Sequence, residues 1–138
     1  MADGEVISTI LLPASAPFAR FNFEKVSKRE TLDIACVNSA ANIEAEGADG
    51  RYRITRARIS AGGVTPVPLL LEKASAYLEG RDLDSSTALE AARIAASEVS
   101  PIGDVRGSAD YRRRLLERLV LAHFIRLFPD AGVEEAIA

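Results

Sequence analysis

Hydrophobic and polar positions alternate in the first half of the chain with the two-residue period of β-strands. In Ala19–Val26 the side chains of Phe21, Phe23 and Lys25 fall on one face, and polar side chains fall on the other. Three further strands are predicted: Glu5–Leu12, which is rich in β-branched residues, Leu32–Ala45 and Arg51–Ser60. The pattern therefore predicts a sheet in this half.

Two details of the sheet follow from the local sequence. Leu32–Ala45 is small and apolar on both faces, which is typical of a central strand with both sides covered. Asp49-Gly50 indicates a hairpin turn between this strand and the next. The alternation slips between Ile54 and Ala57, which predicts a bulge or a change of exposed face.

The second half of the chain carries helical signals. An apolar stripe over Leu69–Leu78 predicts a first helix, with Gly80 as its C-terminal cap. A second helix is predicted over Ala88–Val99, and Thr87 with Glu90 fits a capping box. The N-cap candidates of this second helix are the residues Asp84–Thr87.

The last predicted helix begins at Ser108, its N-cap, and runs to about Phe128. Asp110 stands in its first turn, where the helix dipole favours a negative charge. The helix is amphipathic at first and then apolar on nearly all sides over Leu119–Phe128. A helix of that kind is buried all round. The cover is either the core of the domain or a partner surface.

Strands that precede helices predict an α+β fold, with an antiparallel sheet of three to four strands followed by three helices packed on it. The length of 138 residues fits a single domain spanning residues 1–138.

Composition removes several classes of function. Seventeen Lys and Arg against twenty Asp and Glu give a net charge of −3, which argues against a nucleic-acid-binding protein. One cysteine and one histidine exclude an intrachain disulfide and leave too few ligands for a zinc or iron–sulfur site. No apolar run is long enough for a membrane span, and no signal-peptide pattern opens the chain, so we expect a cytoplasmic protein. The sequence has no GxGxxG motif and no P-loop.

Four segments stand in a distinctive order: GEVISTILLP, FEKVSKRETLDIACVNSAA, ARISAGGVTPVPLLLEKASAYLEG and SPIGDVRGSADYRRRLLERLV. With these segments the chain resembles the C-terminal domain of the FAD-binding subunit of molybdenum hydroxylases, the xanthine dehydrogenase and carbon monoxide dehydrogenase family. The resemblance runs from about Gly4 to Leu121. It is best over Lys25–Asp33, Gly62–Gly80 and Asp104–Arg113.

The resemblance implies a domain that closes over the isoalloxazine side of FAD, while N-terminal domains hold the flavin with Gly-rich phosphate-binding loops. In the family, electrons pass from a molybdenum–pterin centre through iron–sulfur clusters to FAD. The implied partners are an FAD-binding domain or subunit, an iron–sulfur subunit and a molybdopterin subunit. The Gly-rich portion is absent from these 138 residues, so FAD binding is expected only together with it. The chain is then a fragment or a separately encoded subunit.

Lys25 is the first candidate cofactor-binding residue, at the strand end where an apolar face turns charged. The resemblance implies a lysine near the isoalloxazine ring, where a cation stabilises the anionic reduced flavin. The alternative is a lysine that snorkels to water. Ser27, Lys28, Arg29 and Asp33 follow, and the resemblance implies that they line the approach to flavin and nicotinamide. The alternative for these four is a solvated turn in which Asp33 pairs with Arg29.

A second group stands at the start of the last helix: Asp104, Arg106, Ser108, Tyr111 and Arg112. Its structural interpretation is that Ser108 caps the helix and that Asp104 pairs with Arg106 or Arg112. The functional alternative is a patch that docks a neighbouring subunit.

The remaining candidates have structural interpretations. Gly62 and Gly63 let the chain leave the sheet and turn towards the first helix. Cys36 is an inert small hydrophobe in an apolar strand, and His123 is a packed or interface histidine. No catalytic residue is predicted, because no nucleophile with a matching acid and base is visible.

Two functions of different classes follow from the sequence. The chain is a non-catalytic domain or split subunit that completes the flavin site of an oxidoreductase and is not active alone. Alternatively it is an interaction module without flavin that binds a protein, or a second copy of itself, through the apolar last helix.

Overall fold

The computed structural model describes residues 2–12, 14, 16, 18–29 and 31–136. The strands are β1 (Ala19–Val26), β2 (Val37–Ala48), β3 (Arg51–Gly62) and β4 (Leu69–Leu70), and the helices are α1 (Glu72–Leu78), α2 (Ser85–Ser97) and α3 (Ala109–Leu127), followed by a 3-10 turn at Glu134–Ala136. The strands form one antiparallel sheet in the order β1-β2-β3-β4. The predicted α+β fold, a sheet followed by three helices, is confirmed.

All three helices lie on one side of the sheet. Helix α1 packs on β3, α3 packs on β1 and β2, and α2 packs against both other helices. Side chains such as Ile43 and Ile59 point into this core and are fully buried, whereas alternate residues such as Asn42 and Arg58 lie on the opposite face. The prediction that β2 is covered on both faces is therefore wrong, because its second face carries small residues without a covering helix.

The predicted strand at Glu5–Leu12 is also absent. These residues have no strand pairing, and the side chains of Val6 and Leu11 are 84% and 88% exposed. β-branched residues favour a strand only where a neighbouring strand accepts their backbone hydrogen bonds. Within the described part of the chain, β1 pairs with β2 alone and leaves its other edge unpaired.

Strand β2 begins five residues later than predicted, at Val37, and continues to Ala48. The residues before it belong to a loop in which Leu32 has a positive φ of 50°, outside the strand region. The loop closes where the Cys36 amide donates to the Val26 carbonyl over 2.7 Å.

The hairpin and the bulge are confirmed. Asp49 and Gly50 both have positive φ, 52° and 78°, as a two-residue hairpin turn requires. The β2–β3 register shifts where Ile54 pairs with Ala45 and Arg56 pairs with Glu44. Thr55 is the extra residue between these pairs, inside the stretch where the alternation slips.

The first helix begins later than predicted, at Glu72. Leu69 and Leu70 instead form β4 against the edge of β3, which offers them backbone partners. Gly80 follows the helix end with a φ of +76°, in a turn closed by a hydrogen bond from the Arg81 amide to the Leu78 carbonyl. Glycine ends the helix here because it adopts this conformation without strain.

Helix α2 is capped by Asp84, whose carboxylate accepts from the Thr87 amide over 2.7 Å. The capping box of Thr87 and Glu90 is therefore wrong, and the helix begins three residues earlier than predicted, at Ser85. Aspartate outranks threonine as an N-cap, which accounts for the difference. Ser108 caps α3 as predicted, accepting from the Tyr111 amide over 3.2 Å.

The apolar end of α3 is covered by the chain itself. Five of its side chains are buried in the hydrophobic core: Leu119, Val120, Leu121, Phe124 and Phe128. The predicted contact of an interaction module through Leu119–Phe128 is thereby contradicted, because these side chains are not available to a partner. Among the described residues, no helix is long and apolar enough to cross a membrane.

Candidate functional site

The open face of the sheet carries the first group of candidate residues. Phe21 and Phe23 are 64% and 53% exposed, and Lys25 is exposed beside them. They stand on β1 because alternate residues of this edge strand point away from the helices. Exposed aromatic side chains next to each other are typical of a surface that another structure covers.

The centre of this face is made of small and polar residues. Asn38, Ala40 and Asn42 of β2 lie opposite Lys25, Phe23 and Phe21 in the β1–β2 register. At the far end of the face lies a cleft of about 570 Å³, lined by Ala14, Ala16, Ala19, Asn42, Glu44, Arg56 and Arg58. The predicted site residues line none of this cleft and lie at the opposite end of β1.

The loop between β1 and β2, residues 27–36, contains four of the five predicted cofactor-binding residues, and the fifth, Lys25, lies next to it at the end of β1. The Lys25 ammonium donates to the Asp33 carbonyl over 2.7 Å. The Asp33 carboxylate accepts from the Arg29 amide over 2.9 Å and lies 3.6 Å from the Arg29 guanidinium. Ser27 donates to the Arg29 carbonyl over 2.8 Å. The predicted local pair of Asp33 and Arg29 is therefore present.

The loop and the adjoining end of β1 present cations at the surface. Lys25 and Lys28 are exposed, and each donates one described hydrogen bond to a backbone carbonyl, Asp33 for the first and Val105 for the second. An ammonium group has three donors, so each keeps capacity for a further acceptor. Hydrogen bonds from the backbone, led by the Arg29 amide, lower the pKa of Asp33 and keep that carboxylate charged. Lys25 is thus a solvent-exposed side chain that stabilises the loop through its hydrogen bond to Asp33, and its ammonium group is not buried.

The second group of predicted residues lies against this loop. The α2–α3 loop, residues 98–108, makes a tight turn in which the backbones of Asp104 and Gly107 exchange hydrogen bonds. Two contacts tie it to the β1–β2 loop: the Cys36 thiol donates to the Arg106 carbonyl over 2.9 Å, and the Lys28 ammonium reaches the Val105 carbonyl over 2.9 Å.

Arg112, on the first turns of α3, is buried beneath both loops with 5% of its surface exposed. Its guanidinium donates to the carbonyls of Cys36 and Gly63, over 2.9 and 2.7 Å. It also lies 2.5 Å from the carboxylate of Asp104, which pairs with Arg106 at 3.3 Å as well. The sequence offered Arg106 or Arg112 as the partner of Asp104, and the structure pairs it with both.

The close approach of the Cys36 and Gly63 backbones explains why position 63 is a glycine. Gly63 has a φ of +79°, and a Cβ there would lie 2.5 Å from the Cys36 carbonyl oxygen. A Cβ on Gly62 would meet the Asn38 side chain at 2.8 Å. The conformational interpretation of this glycine pair fits the geometry. Tyr111 is half exposed, and its ring leaves no room for a side chain at Gly107.

His123 sits in the core between α3 and the sheet and is fully buried. Asn22 donates its side-chain amide to Nδ1 over 2.9 Å, and Nε2 lies 3.0 Å from the Ser39 hydroxyl, which itself donates to the Ser60 carbonyl. Both ring nitrogens are therefore satisfied. Burial lowers the pKa of His123 to about 4, against a smaller opposing effect of Glu24. These are the features of a packed histidine.

Sequence reasoning missed the apolar rim of the two loops. Leu32, Ile34, Ile102 and Val105 expose between 67% and 95% of their surface around the predicted residues. The sequence signal that could have identified them is the presence of apolar residues in segments that show neither strand nor helix periodicity. Within the described part of the chain, no group of three or more His, Cys, Asp and Glu residues could hold a metal ion.

Comparison with known proteins matches this architecture to one family. A family model described as the CO dehydrogenase flavoprotein C-terminal domain matches residues 23–127. The chain is 26% identical over 129 residues to xanthine dehydrogenase 1 of Arabidopsis thaliana, covering 93% of this chain and 9% of that protein. It is 28% identical over 120 residues to the carbon monoxide dehydrogenase medium chain of Hydrogenophaga pseudoflava, covering 87% of this chain and 40% of that one.

Among solved structures, a carbon monoxide dehydrogenase from Hydrogenophaga pseudoflava, in a form that lacks the Mo-pyranopterin moiety of its cofactor, superposes with a TM-score of 0.76 at 27% identity. That match covers 86% of this chain and 40% of the other. The chain thus spans two-fifths or less of the length of these relatives. The resemblance seen in the sequence is confirmed: the chain belongs to the CO dehydrogenase flavoprotein C-terminal domain family.

Proposed function

We propose that this chain completes the flavin site of a xanthine or CO dehydrogenase-type oxidoreductase, as the C-terminal domain or split C-terminal part of its flavoprotein subunit. In this role it makes and breaks no bonds. The observation that carries the proposal is that Lys25, at the end of β1, and Lys28 and Arg29, in the exposed loop that follows, lie together beside the open aromatic face of β1.

The residues present fit one part of FAD and not the other. An isoalloxazine ring needs apolar contacts for its faces and hydrogen-bond donors for its polar edge. Exposed Phe23 and Ile34 supply apolar surface, and the Lys25 and Lys28 ammonium groups supply donors. A pyrophosphate needs a Gly-rich cradle of backbone amides, and the 138 residues contain neither GxGxxG nor a P-loop. FAD is therefore bound only with a Gly-rich portion from elsewhere.

The flavin, when bound, supplies the acceptance and onward transfer of electrons. Lys25 and Lys28 contribute positive charge, which favours the anionic reduced ring over the neutral oxidised one. Leu32 and Ile34 contribute apolar surface that excludes water from the ring. The charged form of Asp33 keeps the loop closed through its bonds to Arg29.

The partners in this proposal are the FAD-binding domain or subunit and, through it, an iron–sulfur and a molybdopterin subunit. Two features support an extended interface. The aromatic side chains of β1 and the apolar rim residues of the loops remain exposed in the chain alone. Its relatives are more than twice as long, so a large part of the working protein lies outside these residues. We propose a cytoplasmic location as part of the same assignment.

The interaction module without flavin has no observation in its favour, because the apolar end of α3 is buried in the chain's own core. The same burial gives self-association through that helix no support.

The experiment that tests the proposal is purification of the protein from its own cells through a tag on this chain. The visible spectrum, the extracted cofactor and the mass of each recovered polypeptide are then measured. We expect bound FAD, carried either on the same polypeptide or on a separate one with Gly-rich phosphate-binding loops, together with iron and molybdenum. A colourless preparation without FAD would overturn the proposal.

A matched pair of variants makes the test specific to this site. Replacing Phe23 by Ser removes an exposed aromatic from the open face, and replacing Val67 by Ser removes an apolar residue of similar exposure from the loop after β3. The first change is expected to lower the amount of FAD-bearing protein that is recovered, and the second is not.

A further inference from the structure

We infer that Arg112 is the positioning residue of the flavin site. Its guanidinium fixes the β1–β2 loop relative to the end of β3 and to the α2–α3 loop. It thereby fixes the positions of Lys25 and Lys28. The inference rests on the proposed function for its effect on the flavin. Its structural half, the fixing of the loop, stands on this chain alone.

The first argument is where the bonds of Arg112 go. Cys36 is the last residue of the β1–β2 loop, Gly63 is the first residue after β3, and Asp104 belongs to the α2–α3 loop. One buried side chain bonds to all three segments over 2.9, 2.7 and 2.5 Å. A planar guanidinium with donors in a fixed fork imposes direction as well as distance on such partners. The three segments are therefore fixed relative to one another.

The second argument is that further contacts pass this restraint on to the candidate site. The Cys36 thiol and the Lys28 ammonium both cross to the α2–α3 loop, at the carbonyls of Arg106 and Val105. Lys25 holds the Asp33 carbonyl from the other side of the loop. A shift of the α2–α3 loop therefore displaces Lys28 directly and, through Cys36, the end of the loop that Lys25 holds.

The third argument is that the Asp104–Arg112 pair stays charged across the physiological range. The Arg112 hydrogen bond, followed by that of the Arg106 amide, lowers the pKa of Asp104 to about 2. The ion pair therefore links α3 to the α2–α3 loop throughout this pH range. Arg112 keeps one buried donor, Nε, without a partner in the described part of the chain. A buried unpaired donor has a free-energy cost. The other hydrogen bonds of the Arg112 side chain must offset that cost, and they keep the side chain in place.

The structural half is tested with the chain's own reporter. Cys36 is the one cysteine of the sequence and is buried, so its rate of modification by a thiol reagent measures opening of the loop. The test variant is Arg112→Gln. The control is Arg113→Gln, at the next position of α3, where the arginine side chain is partly exposed and pairs with Asp110 at 3.1 Å. We expect Arg112→Gln to raise the rate by about tenfold or more and Arg113→Gln to leave it within about twofold.

Two further variants keep the test decisive if Arg112→Gln fails to fold. Asp104→Asn removes the ion pair and leaves the two carbonyl bonds of Arg112, so a smaller rise is expected. Arg112→Lys keeps the positive charge but not the planar guanidinium with its fixed donors. Relative to Arg112→Gln, it is therefore expected to restore stability more than it restores protection of Cys36. Unchanged modification of Cys36 in every folded Arg112 and Asp104 variant would overturn the inference.

The flavin half is tested on the FAD-bearing protein purified as above, by measuring the flavin midpoint potential in Arg112→Gln, in the double variant Lys25→Met/Lys28→Met and in the triple variant. If Arg112 acts by positioning the two lysines, its effect on the potential disappears when both lysines are already absent. Additive shifts of the midpoint potential, or no shift in Arg112→Gln, would show that Arg112 stabilises the fold without positioning the flavin site. If the protein holds no flavin, the proposed function fails and this half with it, while the Cys36 result still decides the structural half.

Discussion

Asn22 on β1 donates its side-chain amide to Nδ1 of His123 on α3 over 2.9 Å, and this bond fixes the protonation of the buried ring. Asn22 also donates to Glu24 over 3.0 Å, which sets the orientation of its amide. Nδ1 must then accept, so the proton of the neutral imidazole is on Nε2 and points to Ser39. A second proton on the ring would remove the acceptor that Asn22 requires.

The first prediction is an acid-sensitive stability that His123 causes. Burial lowers its pKa from 6.5 to about 4. Between these values the unfolded chain takes up a proton that the folded chain does not, so the free energy of unfolding falls as pH falls from about 6.5 to 4, by about 3 kcal/mol. Urea unfolding at several pH values measures the fall.

The control uses the fact that the chain has a single histidine. In His123→Gln, stability between pH 6.5 and 4.5 is expected to lose most of its pH dependence. Nuclear magnetic resonance of the one imidazole ring in the parent provides an independent value of its pKa. A ring that titrates near 6.5 would contradict the prediction.

The second prediction concerns the cap of α3. Replacing Ser108 by Ala removes the acceptor of the Tyr111 amide and is expected to lower the free energy of unfolding by roughly 1 kcal/mol. Ser100→Ala changes an exposed serine that caps no described helix, and it serves as the control. Equal melting temperatures of the two variants would remove Ser108 from the cap position.

The third prediction separates the two reasons for glycine at position 63. Gly63→Ala combines a positive φ with a Cβ that would lie 2.5 Å from the Cys36 carbonyl oxygen. Gly80→Ala has a similar φ, +76°, but nothing within 4 Å of its Cβ. Strain alone costs roughly 1 kcal/mol or more, so both variants are expected to lose stability and Gly63→Ala to lose more. Chemical denaturation compares them, and equal losses would show that the close approach does not matter.

The fourth prediction concerns Lys25 in the FAD-bearing protein. Lys25→Met removes a cation that favours the anionic reduced flavin, so the midpoint potential is expected to fall, by roughly 30 mV for a loss of about 1.4 kcal/mol. Lys73→Met, on α1 on the opposite side of the sheet, is the control for a lost exposed lysine. Potentiometric titration of the flavin gives both values, and an unchanged potential in Lys25→Met would remove the lysine from the flavin site.

The fifth prediction concerns the exposed aromatic side chains. Phe21 and Phe23 make little contact with the core, so their joint replacement by Ser is expected to change stability by only about 0.5 kcal/mol per residue. Affinity for the FAD-binding portion is expected to fall by about tenfold or more. Thermal unfolding and a binding titration together test this. A large loss of stability without a loss of binding would place both side chains in the fold instead.

The sequence by itself determined the class of fold and most local signals. The alternation in Ala19–Val26, the Asp49-Gly50 turn and the Ser108 cap each depend on residues within a few positions of one another, so they could be predicted with no knowledge of the rest of the chain. The order of segments likewise identified the family, because it needs no geometry. The two groups of candidate residues were also found, as neighbours along the chain.

Only the tertiary structure decided which faces are covered and which segments meet. Glu5–Leu12 has strand composition but no strand to pair with, and Leu69–Leu70 pairs because the edge of β3 lies beside it. The apolar end of α3 could have faced a partner or the core, and packing against the sheet put it in the core. The joining of the two candidate groups by Arg112 links residues up to 76 positions apart, and no local pattern encodes such a contact.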